Sequence, residues 1–355
     1  MNRRDFFRSG ATLAASGAVL AGSELVGVTP ASAQAASGEP ALKRQIPYKQ
    51  QERFRVGYTS NTRGGWEGDP WKGITEGREI GFRYFEIFGN SFCDLDANAR
   101  RRPDSPPHVT YYPNDWEALQ HRMWEIGAQF IAITGGEAGK SIDFHDPSKR
   151  QEVIDSHFNM TRFSRRFGCS HQKTNLGRRR PEGTTDADLK EMAITCNELG
   201  KRIYEELGMR FGVHPHLGSQ LQNEHETMFM MENTDPRYVG LILDTGHITM
   251  AGMDPLALAK KLGHRVIEFH LKDTKKEDRG GTKNVPPPTR DQLKDPYFFP
   301  MGEGGVDFLG IKAYLESIDW RGCLNVELDA SPWREPKESA RITANYIVNT
   351  LKIPL

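Results

Sequence analysis

Short runs of apolar and β-branched residues alternate along the chain with longer segments whose apolar residues recur at helical spacing. The eight β-like runs cover residues 55–60, 84–89, 129–134, 169–175, 210–216, 239–244, 266–272 and 323–329. Amphipathic segments between them include residues 116–127, 186–207 and 306–318. Eight strands that alternate with helices predict a parallel sheet that closes on itself. We therefore predict an α/β fold, a (β/α)8 TIM barrel. An open doubly wound sheet is the alternative, because the fourth run is weak.

The beginning of the chain is predicted to be a targeting segment and not part of the barrel. Arg3 and Arg4 form a twin-arginine n-region, residues 11–28 are weakly apolar, and Ala31-Ser32-Ala33 is a small-x-small cleavage signal. We expect residues 1–33 to be a twin-arginine signal peptide, residues 34–52 an N-terminal arm or linker, and residues 53–353 one barrel domain. The expected location is therefore periplasmic or exported, with no stable membrane span after processing. An uncleaved membrane anchor is the alternative, although Ser, Glu and Gly interrupt the apolar stretch.

Composition and charge exclude several classes of function. Lys and Arg together number 47, as do Asp and Glu, so the net charge is near zero. A general nucleic-acid binder needs a basic surface, and we therefore expect no nucleic-acid partner. The four cysteines are Cys93, Cys169, Cys196 and Cys323. None lies in a CxxC pair, so a thiolate zinc site or a disulfide framework is not expected.

Ionisable residues end four consecutive predicted strands. His214 and His216 end the fifth, Asp244 the sixth, His270 the seventh and Glu327 the eighth. Polar groups at such positions are costly to bury unless they bind something, and the C-terminal rim is where barrel enzymes do chemistry. We predict that His214, Asp244, His270 and Glu327 hold one divalent metal ion. The oxygen and nitrogen donors favour Mn²⁺ as first choice, with Mg²⁺, Co²⁺ or Zn²⁺ as alternatives.

Four ordered segments carry a family resemblance. Residues 240–247, 268–273, 301–307 and 325–329 resemble the xylose isomerase-like barrel superfamily, which includes sugar isomerases, ketose epimerases, inosose dehydratases and the endonuclease IV group. The resemblance covers roughly residues 53–350. It implies that Asp244, His270 and Glu327 occupy metal-ligand positions and that His247 and Lys272 lie beside substrate-contacting ones. It also implies a small sugar or polyol as substrate and a possible homo-oligomer.

One position departs from the pattern of the ketose epimerases. Those relatives usually place a glutamate at the end of the fifth strand, where this chain has His214. The His-x-His-x-Gly-Ser pattern of residues 214–219 is similar to that of inosose dehydratases. One of two opposing carboxylates is thus missing, which favours proton abstraction and elimination by histidine with help from the metal.

The resemblance implies enolisation chemistry, and four residues are candidates to perform it. His216, His247 and Glu327 are candidate bases, the last while bound to metal, and histidine suits the task because its pKa lies near working pH. Lys272 could neutralise an enolate or anchor a hydroxyl group. The alternatives are a core role for His216, a helix cap for His247 and a structural salt bridge for Lys272.

Three further residues are candidate substrate contacts. Trp66 and Trp71 lie in the loop region after the first strand and could stack on a sugar ring. Core packing is the alternative for at least one of them. Glu86 ends the second strand and could reach the pocket, or it could form a buried pair with an arginine or lysine.

We expect dehydration or elimination on a keto-sugar, keto-glycoside or inosose, or the reverse hydration. A sugar isomerase or epimerase shares the metal site and differs in the fate of the enediol. An abasic-site endonuclease would need a multinuclear zinc cluster with more ligands. A non-catalytic sugar-binding barrel is the remaining alternative.

Overall fold

The computed structural model describes residues 52–66, 69–88, 116–137, 139–274, 298–331 and 334–355. The predicted leader, Cys93 and the predicted arm up to residue 51 lie outside these residues. The division of the chain at residues 33 and 52 therefore stays a prediction. Among the described residues, no helix is both long enough and apolar enough to cross a membrane.

Eight parallel strands build the central sheet. They are β1 (Phe54–Thr59), β2 (Tyr84–Phe88), β3 (Gln129–Thr134), β4 (His171–Thr174), β5 (Arg210–Val213), β6 (Val239–Asp244), β7 (Val266–Leu271) and β10 (Gly322–Val326). A separate antiparallel pair consists of β8 (Asp273–Thr274) and β9 (Phe298–Phe299). The weak fourth run is therefore a true strand, although a short one.

The strand order identifies a barrel. It runs β3-β2-β1-β10-β7-β6-β5-β4, so strands that follow one another along the chain also lie side by side. The backbone N–H of Gly135, just after β3, donates to the carbonyl of Lys173 in β4 at 3.2 Å, so the two ends of the sheet meet. A doubly wound sheet would instead reverse its strand order at a switch point. The predicted TIM barrel is confirmed, and the open-sheet alternative is wrong.

Helices surround the sheet. They are α1 (Pro70–Ile80), α2 (Trp116–Glu125), α3 (Arg150–Arg165), α4 (Asp186–Leu207), α5 (Glu224–Asn233), α6 (Thr245–Met250), α7 (Pro255–Leu262), α8 (Phe308–Ser317) and α9 (Pro336–Asn349). The three amphipathic segments predicted from the sequence correspond to α2, α4 and α8. Helix α4 shows why such segments fold locally. Thr185 and Asp188 form a capping box at its start, and Gly208 ends it with a φ of 65°.

Alternation along β10 separates an apolar exterior from a polar interior. Leu324 and Val326 belong to the hydrophobic core between sheet and helices. Asn325 points the other way and donates to Glu86 inside the barrel at 2.9 Å. Successive side chains of a strand face opposite sides, so this single register brings Glu327 to the interior as well. The polar interior then leads up to the C-terminal ends of the strands.

Helix α3 contributes a buried histidine that makes stability depend on pH. The Nδ1 atom of His157 lies 2.8 Å from the carbonyl of Val153, and its Nε2 lies 3.2 Å from the hydroxyl of Thr174. Burial lowers the pKa of His157 to about 4. Because the unfolded value is about 6.5, protonation favours the unfolded chain. The contribution of His157 is fully present above pH 6.5 and is lost progressively as the pH falls from 6.5 to 4.

We predict that His157→Gln flattens the acid limb of the stability curve. Between pH 6.5 and 4.5 the wild type should lose up to about 1.4 kcal/mol per pH unit more than the variant, because only its folded state resists protonation at this position. Urea unfolding at several pH values measures the difference. His225→Gln is the matched control, since the side chain of His225 is 65% exposed. Identical pH slopes for wild type and His157→Gln would contradict the prediction.

Candidate metal centre

The four predicted ligands converge at the C-terminal end of the barrel. Asp244 and His270 lie at the ends of β6 and β7, whereas His214 and Glu327 directly follow β5 and β10. Because these four strands are neighbours in the sheet, one donor atom from each residue lies within 4.8 Å of the others. All four side chains are buried. The sequence thus predicted the juxtaposition, while the binding of a metal stays a prediction.

Two donor atoms of this cluster are suited to holding a cation. His214 Nε2 and Asp244 Oδ2 are buried and make no hydrogen bond with any described residue. They face each other at 3.4 Å. Asp244 Oδ2 has the Lys272 ammonium 3.2 Å away, whereas His214 Nε2 has no hydrogen-bond partner among the described residues. A buried polar atom without a partner costs about 1–3 kcal/mol, so the Nε2 atom needs an explanation. A cation held between them would satisfy both, and imidazole with carboxylate is a donor set that divalent transition metals and zinc accept.

The Nδ1 atom of His270 faces the other candidate metal donors, and its Nε2 atom faces the carboxylate of Glu86. Its Nδ1 lies 2.8 Å from Glu327 Oε2 and 3.8 Å from Asp244 Oδ2, and its Nε2 lies 3.0 Å from Glu86 Oε2. Such an outer carboxylate is the usual partner of a metal-binding histidine, because it fixes the orientation of the ring. Burial and Lys173 lower the pKa of His270, but Glu86 and Glu327 outweigh them and raise it to about 10.

Glu86 lies beneath the cluster and is paired with a lysine. Its side chain is 0% exposed, and its Oε1 lies 2.5 Å from Lys173 Nζ. Burial alone would raise the pKa of Glu86, but Lys173 and His270 outweigh this and hold it below the ordinary value. The buried ion pair anticipated as the alternative is therefore the arrangement found. We therefore expect that Glu86 orients His270 and does not contact the substrate.

Lys272 lies between the metal-donor cluster and a second group of ionisable side chains. Its Nζ is 3.2 Å from Asp244 Oδ2, 3.1 Å from Glu327 Oε2 and 2.9 Å from Asp329 Oδ1. It also lies 2.8 Å from His247 Nε2. Burial lowers the pKa of Lys272, but the three carboxylates outweigh burial and raise it. The three carboxylates thus stabilise the ammonium form of Lys272, which donates hydrogen bonds.

His216 and His247 form the second group together with Asp329. Their ring centroids are 3.6 Å apart. Burial lowers the pKa of both imidazoles, so both are neutral near pH 7, and His247 Nε2 accepts a hydrogen bond from the Lys272 ammonium. The helix cap suggested for His247 is instead provided by Asp244, whose Oδ1 accepts from the N–H groups of Gly246 and His247. The His247 ring is therefore not needed to cap α6.

Two backbone features hold Lys272 and His216 in place. Asp273 accepts hydrogen bonds from the N–H groups of Gly302, Gly304 and Val306, which ties the end of β7 to the following loop. The backbone of His216 is hydrogen-bonded within its own loop. Its N–H donates to the carbonyl of Leu221, and its carbonyl accepts from the N–H of Ser219. Both side chains are thus presented from fixed turns and not from loose loops.

The two tryptophans belong to the core. Trp66 is 1% exposed, packs edge-on against Tyr58 with ring centroids 5.5 Å apart, and donates its indole N–H to Glu76 at 2.7 Å. Trp71 is 5% exposed and lies under the guanidinium of Arg122. Core packing, the stated alternative, describes both side chains. We therefore leave Trp66 and Trp71 out of the proposed substrate contacts.

Sequence reasoning missed three residues of the site. Lys173 lies in β4, a strand whose sequence His-Gln-Lys-Thr has no apolar pattern. Asn175 follows that strand and lies 2.7 Å from His214 Nδ1. Phe298 packs edge-on against His247, with ring centroids 4.8 Å apart, and its ring lies 4.8 Å from Lys272 Nζ. Of these three residues, only Lys173 had a signal in the sequence, because it is a lysine in a strand that is buried.

Comparisons with known proteins agree with this geometry. The family model for the xylose isomerase-like TIM barrel matches residues 74–348. An inosose dehydratase from Salmonella typhimurium is 31% identical over 169 residues, which are 47% of this chain and 56% of the relative. An inosose dehydratase from Clostridium tetani is 32% identical over 164 residues, which are 46% and 55%. The match therefore spans little more than half the length of these curated relatives.

Solved structures show the same fold at low identity. A sugar phosphate isomerase/epimerase from Parabacteroides distasonis superposes with a TM-score of 0.62 and 17% identity, covering 86% of this chain and 97% of that one. The probable 3-DHS dehydratase AsbF from Bacillus anthracis gives 0.58 and 13%, covering 78% and 92%. An IOLI protein with a bound zinc atom gives 0.59 and 15%, covering 83% and 97%.

We predict that removing either of two ligands abolishes binding of a divalent cation. His270→Ala and Asp244→Asn should each weaken Mn²⁺ binding by at least about 100-fold, since even outer partners of a ligand are worth about 10–100-fold. Asparagine keeps the oxygen that caps α6, so the fold is retained. Calorimetric titration and elemental analysis measure the loss, and circular dichroism checks the fold.

The matched controls for these variants are His225→Ala and Asp186→Asn. The two side chains pair with each other on the surface and are 65% and 69% exposed. They should leave Mn²⁺ binding unchanged. Full metal content in either His270→Ala or Asp244→Asn would show that the assigned site is wrong.

Proposed function

This chain belongs to the xylose isomerase-like TIM barrel family, and from that premise we propose that it is a metal-dependent dehydratase or lyase. The substrate class is a keto-sugar, keto-glycoside or inosose. The reaction removes a proton next to the carbonyl and expels the β-oxygen substituent, or runs in reverse as a hydration. An isomerase or epimerase is the alternative, and the two differ in what happens after the first proton transfer.

The observation that carries the proposal is the position of Lys272 between two different groups. On one side lie the donors His214, Asp244, His270 and Glu327. On the other side lie the neutral imidazoles of His216 and His247. A site that eliminates needs a group to polarise the carbonyl, a base, and a donor for developing negative charge. Lys272 Nζ, the candidate donor, lies 3.2 Å from Asp244 Oδ2 in the set that would hold the polarising cation and 2.8 Å from His247 Nε2, a candidate base.

Each step of this chemistry is assigned to particular residues of the chain. A divalent cation bound by the four donors would supply Lewis-acid polarisation of the carbonyl oxygen. His247 or His216 accepts the proton from the carbon next to the carbonyl, and the Lys272 ammonium donates to the oxygen on which negative charge develops. The bond to the β-oxygen then breaks, its electron pair leaves with the oxygen, and the protonated imidazole can return its proton to that oxygen.

Glu327 is the weaker candidate base. Burial would raise the pKa of Glu327, but Lys272, Lys173 and His270 outweigh it and hold the pKa well below its ordinary value. A carboxylate with such a low pKa takes up a proton less readily than a neutral imidazole does. We therefore assign proton abstraction to the histidine pair and metal binding to Glu327.

The similar proteins support the reaction class. The relatives in Salmonella and Clostridium are inosose dehydratases. AsbF, a likeness of fold alone, is a probable dehydratase of 3-DHS. For the metal we propose Mn²⁺, with Zn²⁺, Co²⁺ and Mg²⁺ as competitors, because the donors are two imidazoles and two carboxylates. Zinc is the atom bound by the similar IOLI protein.

We predict chelator-sensitive elimination by the mature protein. Residues 34–355, loaded with Mn²⁺, are incubated in D₂O with a panel of inososes, keto-glycosides and free ketoses and followed by proton NMR. Loss of a β-oxygen substituent, with an enone or its hydrate appearing, is the expected result. Deuterium uptake with the oxygen count unchanged would move the assignment to an isomerase or epimerase. Exchange on no substrate would favour a sugar-binding barrel.

Variants of the site sharpen the same measurement. His247→Gln should lower kcat by about 10²–10⁴-fold, the usual contribution of a general base. Lys272→Met should lower it by about 10²–10³-fold, as does the loss of a donor to a developing oxyanion. Lys312→Met is the matched control, because Lys312 pairs with Glu316 on the surface of α8. Wild-type turnover in Lys272→Met would exclude its assigned role.

We also propose that residues 1–33 direct export by the twin-arginine route and that the mature protein is periplasmic. The support is the pair Arg3-Arg4, the weakly apolar stretch and the Ala-x-Ala signal. Exchange of both arginines for lysine should leave an unprocessed precursor in the cytoplasm, measured by cell fractionation and N-terminal sequencing. Export of the double variant at the wild-type level would contradict this. A homo-oligomer stays a prediction.

A further inference from the structure

Asn175 is adjacent to His214 because of the register between two strands. In the β4–β5 pair, Thr174 lies opposite Val213. The next residues of the two strands, Asn175 and His214, are therefore neighbours, and the N–H of His214 donates to the carbonyl of Thr174 at 3.1 Å. The contact between their side chains follows from the strand pairing and does not depend on a loop.

The contact determines which ring nitrogen of His214 carries the proton. Asn175 Oδ1 lies 2.7 Å from His214 Nδ1. An amide oxygen accepts hydrogen bonds and never donates them. His214 Nδ1 must therefore carry a hydrogen that it donates to Asn175. In the neutral imidazole the other nitrogen, Nε2, is left with a lone pair.

That lone pair faces a carboxylate oxygen of Asp244. His214 Nε2 and Asp244 Oδ2 are buried, lie 3.4 Å apart and have no hydrogen-bond partner among the described residues. If Nε2 carried a hydrogen, the carboxylate oxygen in front of it would accept it, yet the pair does not have hydrogen-bond geometry. Two acceptors that face each other repel. The Lys272 ammonium, 3.2 Å from Asp244 Oδ2, compensates the carboxylate but leaves His214 Nε2 without a hydrogen-bond partner among the described residues.

We infer that Asn175 is a positioning residue, which holds His214 in the Nδ1–H form so that Nε2 is presented to a divalent cation. The inference rests on the proposed metal site and adds to it a residue that contacts neither cation nor substrate. Histidines that bind metals commonly donate from their other nitrogen to an oxygen, which fixes the ring and its tautomer. An amide does this without adding a further negative charge to a buried cluster.

The first test reads the tautomer without any metal. Nitrogen-15 NMR of histidine-labelled, metal-free full-length protein separates protonated from unprotonated ring nitrogens, and His214→Gln identifies the signals of His214. We expect Nδ1 to be protonated and Nε2 to be unprotonated in the wild type. Asn175→Leu, which removes the acceptor, should shift His214 toward the Nε2–H form. Asn175→Asp, which keeps an acceptor oxygen, should retain the wild-type form.

The second test reads the consequence for a cation. Binding of Co²⁺, followed by its visible absorption and by competition with a chelator, should weaken by about 10–100-fold in Asn175→Leu, the usual effect of losing an outer partner of a ligand. Asn175→Asp should restore binding and the wild-type absorption bands. Asn197→Leu is the matched control. Asn197 is equally partly buried and also accepts through Oδ1, from the N–H of Asp235 at 2.8 Å, but lies away from the cluster.

The outcomes separate this inference from the proposed function. A wild-type His214 protonated on Nε2 would overturn it, and so would Co²⁺ affinity unchanged in Asn175→Leu. A loss of affinity as large in Asn197→Leu would show a general effect on folding and would also overturn it. Failure of the wild type to bind Co²⁺ would instead reject the metal site itself. Lack of turnover by a protein that binds Co²⁺ through this tautomer would reject only the proposed reaction.

Discussion

Lys173 Nζ meets Glu86 Oε1 at 2.5 Å in the middle of the barrel, where neither side chain is more than 1% exposed. Removing an ion from water costs several kcal/mol, and the pair offsets this only because further polar groups complete its surroundings. Glu86 also accepts from Thr134 at 3.0 Å and from Asn325 at 2.9 Å. With its remaining contact it orients His270, so the position of one central metal donor depends on this ion pair.

The cost of burying charged groups applies to the whole interior of the barrel. Five buried or partly buried carboxylates lie along it, namely Glu86, Glu268, Asp244, Glu327 and Asp329. Two lysines, Lys173 and Lys272, contact four of them. His270, whose pKa is raised to about 10 by Glu86 and Glu327, adds a further positive charge, and His171 lies 2.7 Å from Glu268. The proposed divalent cation would add positive charge where Asp244 and Glu327 converge.

Patterns along the chain predicted most of the fold and the ligand set, because strand ends in a barrel meet at one rim. Asp244, His270 and Glu327 could be found in this way, as each ends a run of apolar residues. Lys173 could not, because β4 is only four residues long and polar throughout, so no alternation marks its inward face. Contacts such as His171 with Glu268, 97 residues apart, depend on closure of the barrel and leave no local signal. Trp66 and Trp71 were misjudged for a related reason, since an aromatic residue near a loop has the same pattern whether it packs inward or faces a ligand.

The histidine at the end of β5 connects the charge constraint to the chemistry. A carboxylate at position 214 would add another negative group beside Asp244 and Glu327, which already share the Lys272 ammonium at 3.2 and 3.1 Å. A neutral imidazole fills the same place without that charge, and a partly buried amide, not an acid, lies behind it. With fewer anionic donors, a bound cation retains more of its own charge to polarise a carbonyl oxygen. No carboxylate is left at this position to act as a base, and in the proposed mechanism proton transfer is therefore assigned to His216 and His247, whose burial lowers their pKa values. The exchange of one donor thus accounts both for the electrostatics of the cluster and for the choice of base.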